Sequence, residues 1–241
     1  MEQSAVEQFE FGEPMKIAKL EPSQHKPGRW LVWFEDGSLL RVGEGDVVSL
    51  SLYTGKELDE QEAAALTAAA EHSKLNERAV TLLSARAMSR KELVDKLSAP
   101  PRRKKGETEP DPELLAAQRG QMKAAAQQVA DRMERLGLLN DGEYGEAVAR
   151  HYAAKGFGER KIRDELYRRG VPREFWDSCI AQLSEEENSA ESKLDELLRK
   201  KLRGAELTRE TLKKTSDYLA RRGFGWEEIS AALERYARWD E

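Results

Sequence analysis

The chain has a single cysteine, Cys179, among 241 residues, and only three histidines. One cysteine excludes a disulfide framework and any zinc site built on several thiolates. The histidines, His25, His72 and His151, are too far apart in sequence to suggest a metal or catalytic cluster. A phosphate-binding loop of the GxxxxGK type is also lacking. These absences argue against an enzyme, and we expect neither a cofactor nor a metal ion.

Long apolar runs are lacking too. No stretch of the sequence reaches the length of about 18 apolar residues that a transmembrane helix needs. The first residues are acidic and have neither the cationic start nor the apolar segment of a secretory signal. We therefore expect a cytoplasmic protein that does not bind membranes.

Proline is scarce and charge is abundant. The chain has 8 prolines, 39% hydrophobic residues and 35% charged residues, and the charged fraction exceeds the usual quarter. Ala, Leu, Glu and Arg dominate, as in helices with wide solvated faces. This composition predicts a mainly α fold.

The N-terminal part has a different pattern. We expect residues 1–13 to be a disordered acidic tail and residues 14–56 to form a small β-rich module. The Asp36-Gly37 pair lies between two apolar runs, which is a strong signal for a hairpin turn. The apolar and β-branched runs predict four short strands, at residues 15–20, 29–34, 39–42 and 47–52.

The rest of the chain is helical and repeated. One sequence element occurs three times, starting at Arg86, Lys155 and Arg222. It consists of a cation, a two-residue turn, a Ser or Gly cap and a second helix. Apolar residues four apart follow each cap, as on the buried stripe of a helix. Such repeats predict tandem three-helix units stacked in an elongated curved array. We expect repeat one at 57–140, repeat two with a long connecting helix at 141–203, and repeat three at 204–241.

Individual helices can be placed within these repeats. The expected helices are an N-terminal one opening near Asp59 and ending near Glu71, one preceding each turn (76–86, 141–155 and 208–222), and two longer ones at about 122–136 and 173–202. Residues 98–121 contain four of the eight prolines and a basic run, and we interpret them as a mobile insertion in repeat one.

Charge is unevenly divided. Residues 1–77 hold 7 Lys/Arg and 15 Asp/Glu, whereas residues 78–241 hold 33 and 30. Basic residues cluster in three segments, 86–105, 150–173 and 199–222. Such clusters attract polyanions or acidic protein surfaces, although each could also be an ordinary solvated helix face.

The order and spacing of these elements resemble the RecX family of bacterial regulators of the RecA recombinase. The matching stretches are Leu82–Leu93, Leu136–Asp141, Lys155–Gly158 and Arg221–Gly225. Two features depart from the family pattern: the insertion at 98–121 is longer than the usual connection, and Asn140 stands where Asp is more usual. The resemblance implies a monomeric, non-enzymatic protein. It would bind RecA, preferentially as its filament on DNA, and restrain ATP hydrolysis, strand exchange and coprotease activity in recombination, DNA repair and the SOS response.

The family supplies no agreed set of contact residues, so the basic clusters nominate them. Candidate partner-binding residues are Arg86, Arg90, Lys91, Arg150, Lys155, Arg160, Arg163, Arg168, Arg169, Arg221 and Arg222. Arg102, Arg103, Lys104 and Lys105 are candidates for DNA contact. Nearby acids, Glu159, Asp164 and Glu165, could instead neutralise Arg160 and Arg163 within the chain.

Two other classes of function stay open at this point. One is a direct DNA-binding protein of the transcriptional-regulator type, which would need a recognition helix with base-reading side chains. Glutamates in the second helices (Glu92, Glu165 and Glu228) disfavour it. The other is an interaction scaffold unrelated to DNA. Weak binding to bare single- or double-stranded DNA also stays open.

Overall fold

The structure, a computed structural model, describes residues 15–100, 112–184 and 190–239. The predicted tail at 1–13 and the candidate DNA contacts Arg102 to Lys105 lie outside these residues. The chain divides into two compact units: the first unit extends to Thr81 and the second unit begins at Leu82. Each unit is described by itself.

The first unit contains an antiparallel four-stranded sheet with strand order β3-β2-β1-β4. Its strands are β1 (Met15–Pro22), β2 (Arg29–Phe34), β3 (Leu39–Gly43) and β4 (Glu57–Leu58). The predicted hairpin joins β2 to β3, and Gly37 in its turn has φ +85°, which glycine adopts readily. Val32 and Phe34 lie on the buried face of β2, in agreement with the period of two.

The strand predicted at residues 47–52 is wrong. Helix α1 (Glu44–Ser49) occupies the first half of this stretch. The Asp46 carboxylate accepts a hydrogen bond from the Gly43 backbone N–H at 2.9 Å, so an N-terminal cap favours the helix over the β-branched pair Val47-Val48.

Helix α2 (Glu60–Ala85) opens at a capping box formed by Asp59 and Glu62. The Glu62 N–H donates to Asp59 Oδ1 at 2.8 Å, and the Asp59 N–H donates to Glu62 Oε2 at 3.2 Å. Its N-terminal half packs Leu66 and its alanine neighbours against the sheet. The predicted break between Glu71 and Asn76 is absent, because no glycine or proline interrupts the helix there.

Where the structure describes the second unit, its regular structure is entirely helical. Its helices are α3 (Arg90–Leu97), α4 (Pro112–Arg135), α5 (Asp141–Ala154), α6 (Glu159–Arg168), α7 (Trp176–Ser184), α8 (Ala190–Leu202), α9 (Arg209–Arg221) and α10 (Trp226–Trp239), with a 3-10 turn at Arg173–Phe175. Together with the sheet of the first unit, these helices confirm the predicted mainly α fold with a small N-terminal sheet.

The insertion predicted at 98–121 is shorter than expected. Residues 112–121 form the first turns of α4. Proline is compatible with the first turn of a helix, where its missing N–H has no partner to lose. The residues after it, rich in Leu, Ala and Gln, are good helix formers.

The helices form three successive groups, which we call the first, second and third bundles. α3 packs against α4; α5, α6 and α7 share one core, and α8, α9 and α10 share another. In place of the long helix predicted at 173–202, the structure has the two helices α7 and α8, and it does not describe residues 185–189 between them. Leu183 of α7 lies in the second core and Leu194 of α8 in the third, so the two helices serve different bundles.

Two of the repeated turns meet back to back. The Gly158 N–H donates to the Arg222 carbonyl at 3.0 Å, and the Arg160 N–H donates to the Gly223 carbonyl at 3.1 Å. A side chain on Gly158 would stand 2.5 Å from the Phe224 nitrogen. The second and third bundles are therefore joined by close backbone contact at these turns.

The first turn also joins its neighbour. Ser89 caps α3, and its hydroxyl donates to the Arg169 carbonyl at the end of α6. The Arg90 N–H donates to Asp141 Oδ1 at 2.7 Å. Burial raises the pKa of Asp141, while the hydrogen bond from Arg90 opposes this rise. These contacts hold the start of α3 against the end of α6 and the start of α5.

Candidate functional site

An open groove, which we call the first groove, lies between α3 and the C-terminal end of α6. Its volume is about 740 Å³. Five cations and two carboxylates line it. The lining residues are Arg86, Lys91, Glu92, Asp95, Lys96, Ala99, Arg168 and Arg169. The excess of cations suits an anionic ligand.

The walls of the first groove are held by local packing. A side chain on Gly170 would stand 2.6 Å from Cδ of Lys91, and Gly170 has φ +74°. Glycine is therefore required at Gly170 both for the turn that ends α6 and for the close approach of the Lys91 stem. Together with the Ser89 hydrogen bond, this contact keeps the start of α3 close to the end of α6.

On the α3 side of the first groove, cationic side chains surround the Glu92 carboxylate. The Arg86 guanidinium donates to both of its carboxylate oxygens, once at 3.1 Å. Lys96 Nζ lies 3.7 Å from the same carboxylate. The hydrogen bond from Arg86 lowers the pKa of Glu92 against the effect of burial, and Arg169 is near enough to lower it further. Two cations, Arg86 and Lys96, thus pair with one carboxylate.

Arg169 forms the α6 side of the first groove. Its Nη1 donates to the Tyr144 hydroxyl at 2.9 Å, and its guanidinium lies over the Tyr152 ring at 5.9 Å. The hydrogen bond to Tyr144 raises the pKa of Arg169. Its Nε is buried and has no hydrogen-bond partner among the residues that the structure describes, and it lies 4.0 Å from Oε2 of the Glu165 carboxylate. Arg168 donates to the buried Glu165 at 2.6 Å.

A second groove lies between α8 and α9 in the third bundle. Its volume is about 350 Å³. It is lined by Lys201, Leu202, Ala205, Thr211, Lys214, Thr215, Asp217, Tyr218 and Arg221. Lys201 Nζ lies 5.2 Å from the Tyr218 ring centroid. Three cations face one carboxylate, so this groove is also basic.

Arg222 supports the turns between these grooves. Its Nη1 donates to the carbonyls of Lys155 at 2.9 Å and Gly156 at 3.0 Å. Its guanidinium also lies 5.2 Å from the Phe157 ring and 5.1 Å from the Tyr218 ring. The side chain is therefore used to join the second and third bundles, which a charge count along the sequence does not reveal.

The structure brings some of the predicted site residues together and separates others. Arg86, Lys91, Arg168 and Arg169 line the first groove, and Arg221 lines the second. Arg102, Arg103, Lys104 and Lys105 lie outside the described residues.

The remaining candidates line neither groove. Arg90 pairs with Asp131 and Glu134 of α4, and Arg150 lies 3.9 Å from Glu146. Arg163 donates to Glu159 at 2.8 Å and to Asp177 at 2.9 Å, so one of the acids suspected from the sequence does neutralise it. Lys155, Arg160 and Arg222 lie at the joined turns.

Sequence reasoning missed the other residues of the grooves. Lys96, Lys201 and Lys214 lie within the basic segments recognised from the sequence, but no motif distinguished them from their neighbours. Tyr144 carries no charge, so a search for basic clusters does not select it. Its hydrogen bond to Arg169 spans 25 positions, and only the packing of α5 on α6 brings the two together.

Other chemistries find no support in the described part of the chain. Residues 15–100, 112–184 and 190–239 contain no group of three or more His, Cys, Asp or Glu side chains placed to hold a metal ion. In the same residues no helix combines the length and apolar character that crossing a bilayer requires. Burial raises the pKa of the Cys179 thiol, which disfavours the reactive thiolate.

Comparison with known families agrees with this architecture. The family model described as RecX, second three-helix domain, matches residues 140–180. The family model described as RecX, third three-helix domain, matches residues 190–233. These ranges coincide with the second and third bundles and place α8 with α9 and α10.

Similar proteins are found in several bacteria. A protein named regulatory protein RecX from Xanthomonas oryzae pv. oryzae (strain MAFF 311018) is 33% identical over 65% of this chain and 84% of its own length. One with the same name from Bacillus subtilis (strain 168) is 27% identical over 91% of this chain and 76% of its own.

Two solved structures share the fold. A crystal structure of a regulatory protein RecX superposes with a TM-score of 0.69 at 20% identity, covering 91% of this chain and 99% of that chain. RecX from Lactobacillus salivarius superposes with a TM-score of 0.54 at 18% identity, covering 68% and 96%.

Proposed function

Since the chain belongs to the RecX family, we propose that it is a regulatory protein, without enzymatic activity of its own, that binds the RecA recombinase. It binds RecA preferentially as the filament on DNA and restrains ATP hydrolysis, strand exchange and coprotease activity. It acts as a monomer in the cytoplasm. The observation that carries this proposal is the family relationship, which extends over the second and third bundles.

The two basic grooves support it physically. A filament presents the same protein surface again and again, so a chain with more than one groove can make several modest contacts at once. Linked contacts of this kind raise the overall affinity without any single tight site. Arg and Lys side chains also speed the encounter with an anionic filament.

The helix that follows the first turn argues against base-specific DNA recognition. On α3, Glu92 and Asp95 pair with Arg86 and Lys91, so much of the positive charge is already neutralised. A recognition helix presents uncompensated cations and amides to base edges. We therefore place a transcriptional-regulator function second.

The test is an assay of RecA ATP hydrolysis on single-stranded DNA, titrated with the purified chain, together with strand exchange. We expect both rates to fall as the chain is added, and we expect the chain to co-sediment with RecA filaments. Unchanged rates and no co-sedimentation would reject the proposal. Tight sequence-specific duplex binding without RecA would favour the transcriptional-regulator alternative. If the chain binds neither RecA nor DNA, the scaffold alternative remains.

A further inference from the structure

The first groove contains its own anion. The Glu92 carboxylate lies where Arg86 and Lys96 converge, with Arg169 in electrostatic reach of both Arg86 and Glu92. The Arg86 and Glu92 side chains are 51% and 26% exposed, so neither is locked in the core. A carboxylate held between several cations in an open groove has the position that a bound anion would take.

We propose that Glu92 is an internal counter-anion of the first groove, and that an acidic segment of a partner protein binds there by taking its place between Arg86, Lys96 and Arg169. The inference rests on the proposed function and deepens it, because it names the chemistry of the partner segment that this groove accepts. A solvent-accessible ion pair contributes little net free energy, so an incoming carboxylate can displace Glu92 at little cost.

Arg169 is prepared for such a ligand. The Tyr144 hydroxyl and the Tyr152 ring fix one side of its guanidinium, which reduces the side-chain freedom that binding would otherwise remove. The planar guanidinium can then present its remaining donors to a carboxylate. Arg86, which already binds a carboxylate through two nitrogens, shows that the groove accepts this geometry.

The distribution of charge favours a protein segment over nucleic acid. Asp95 pairs with Lys91 at 3.0 Å, and Glu165 lies beneath Arg168. These acids would repel a phosphate backbone, whose binding relies on a row of uncompensated cations. A protein segment that carries both carboxylates and a few cations can pair with each sign.

The test uses the full chain and a fluorescein-labelled peptide rich in glutamate, with binding followed by fluorescence anisotropy. Glu92→Gln keeps the shape of the side chain but removes the competing charge, and we expect it to bind the peptide about two- to fivefold more tightly than the unaltered chain. Arg86→Ala should bind about fivefold more weakly. A gain in affinity cannot arise from misfolding, which makes the glutamine variant decisive.

Matched controls separate the groove from total charge. Glu227→Gln on α10 and Arg132→Ala on α4 change the net charge by the same amounts but do not line the groove, and they should bind the peptide as the unaltered chain does. A peptide with glutamine in place of glutamate should not bind.

Three results would overturn the inference: no binding of the acidic peptide, no gain from Glu92→Gln beyond that of Glu227→Gln, or a labelled oligothymidine that responds to the groove variants more strongly than the peptide. RecA ATP hydrolysis, measured with the unaltered chain from the same preparation, keeps the two proposals apart. Normal inhibition with no groove effect on the peptide rejects this inference alone, whereas no inhibition rejects the proposed function.

Discussion

Gly158 has ordinary backbone angles, φ −79° and ψ 172°, which any residue can adopt. The reason for glycine is the neighbouring chain. A side-chain carbon there would lie 2.5 Å from the Phe224 nitrogen and 2.6 Å from the Gly223 carbonyl carbon. At these distances the backbone of one turn must move away from the other, and the two hydrogen bonds between the turns would lengthen.

We therefore expect Gly158→Ala to lower the free energy of unfolding by about 1–3 kcal/mol. Denaturant unfolding followed by far-UV circular dichroism, which reports the helical second unit, measures the change. Gly225→Ala is the matched control, because it precedes α10 as Gly158 precedes α6. A side chain there would meet only the flexible Glu228 carboxylate, at 3.2 Å. Equal losses in the two variants would contradict this account of the turns.

At the scale of single residues, the sequence predicts which side chains are cationic but not which of them are already paired. Arg86 and Glu92 are six positions apart, a spacing that does not bring side chains together on one helix. They meet because a turn separates them. Arg222 likewise binds carbonyls 66 and 67 positions away. Pairs that depend on turns and on packing between bundles cannot be deduced from spacing along one helix.

At the scale of elements, α6 buries a carboxylate beside its apolar stripe. Ile162 and Leu166 are 1% and 0% exposed, and Glu165 is only 4% exposed. Burial raises the pKa of Glu165, but the Tyr152 hydroxyl, Arg168 and Lys161 lower it more, so the net shift is downward from 4.5. The folded chain thus holds Glu165 in its charged form.

This shift predicts a specific dependence on pH. The stabilising contribution of Glu165 is fully present above its ordinary pKa of 4.5, and it is lost as the pH falls through the lowered pKa of the folded state. Glu165→Gln should lower the free energy of unfolding by about 1–3 kcal/mol at neutral pH, and its stability should fall less steeply below pH 4.5. The measurement is denaturant unfolding across this pH range.

Glu227→Gln, an exposed change on α10, is the control for this experiment and should leave the pH profile unchanged. Parallel stability curves for the unaltered chain and Glu165→Gln would show that the carboxylate does not titrate differently in the folded state, and the assigned partners would then be wrong.

The elements that sequence reasoning predicted well are those with local signals. The Asp36-Gly37 hairpin and the caps at Ser89 and Asp59 depend on a few adjacent residues, and all three are present. The errors arise where two signals compete. Val47-Val48 favours a strand, but the cap at Gly43 starts a helix. The prolines near residue 110 indicate a loop, but Pro112 also suits the start of α4.

At the scale of the whole molecule, the repeats could be recognised but not divided correctly between bundles. The third core draws its extra helix, α8, from before its turn, whereas the second core draws α7 from after its turn. Both arrangements bury the same apolar stripe beside the turn, through Ile162 in one and Ile229 in the other. A repeat in sequence therefore specifies the turn and its two helices but leaves the source of the third helix open.

The second unit carries one basic groove on the turn side of its first two bundles and another in its third bundle, and the last prediction concerns their joint use. If both grooves contact one filament at the same time, their free energies add, so the losses from separate variants multiply. We expect Arg86→Ala in the first groove and Arg221→Ala in the second to weaken binding to RecA filaments by about fivefold each, and the double variant by about 25-fold. Binding is measured on filaments assembled on immobilised single-stranded DNA, at several salt concentrations.

Arg132→Ala combined with Arg238→Ala removes the same charge outside both grooves and should change affinity little. If the double variant binds filaments with the same affinity as the weaker-binding single variant, only one groove touches the filament. A second simultaneous contact cannot be lost without a further decrease in affinity.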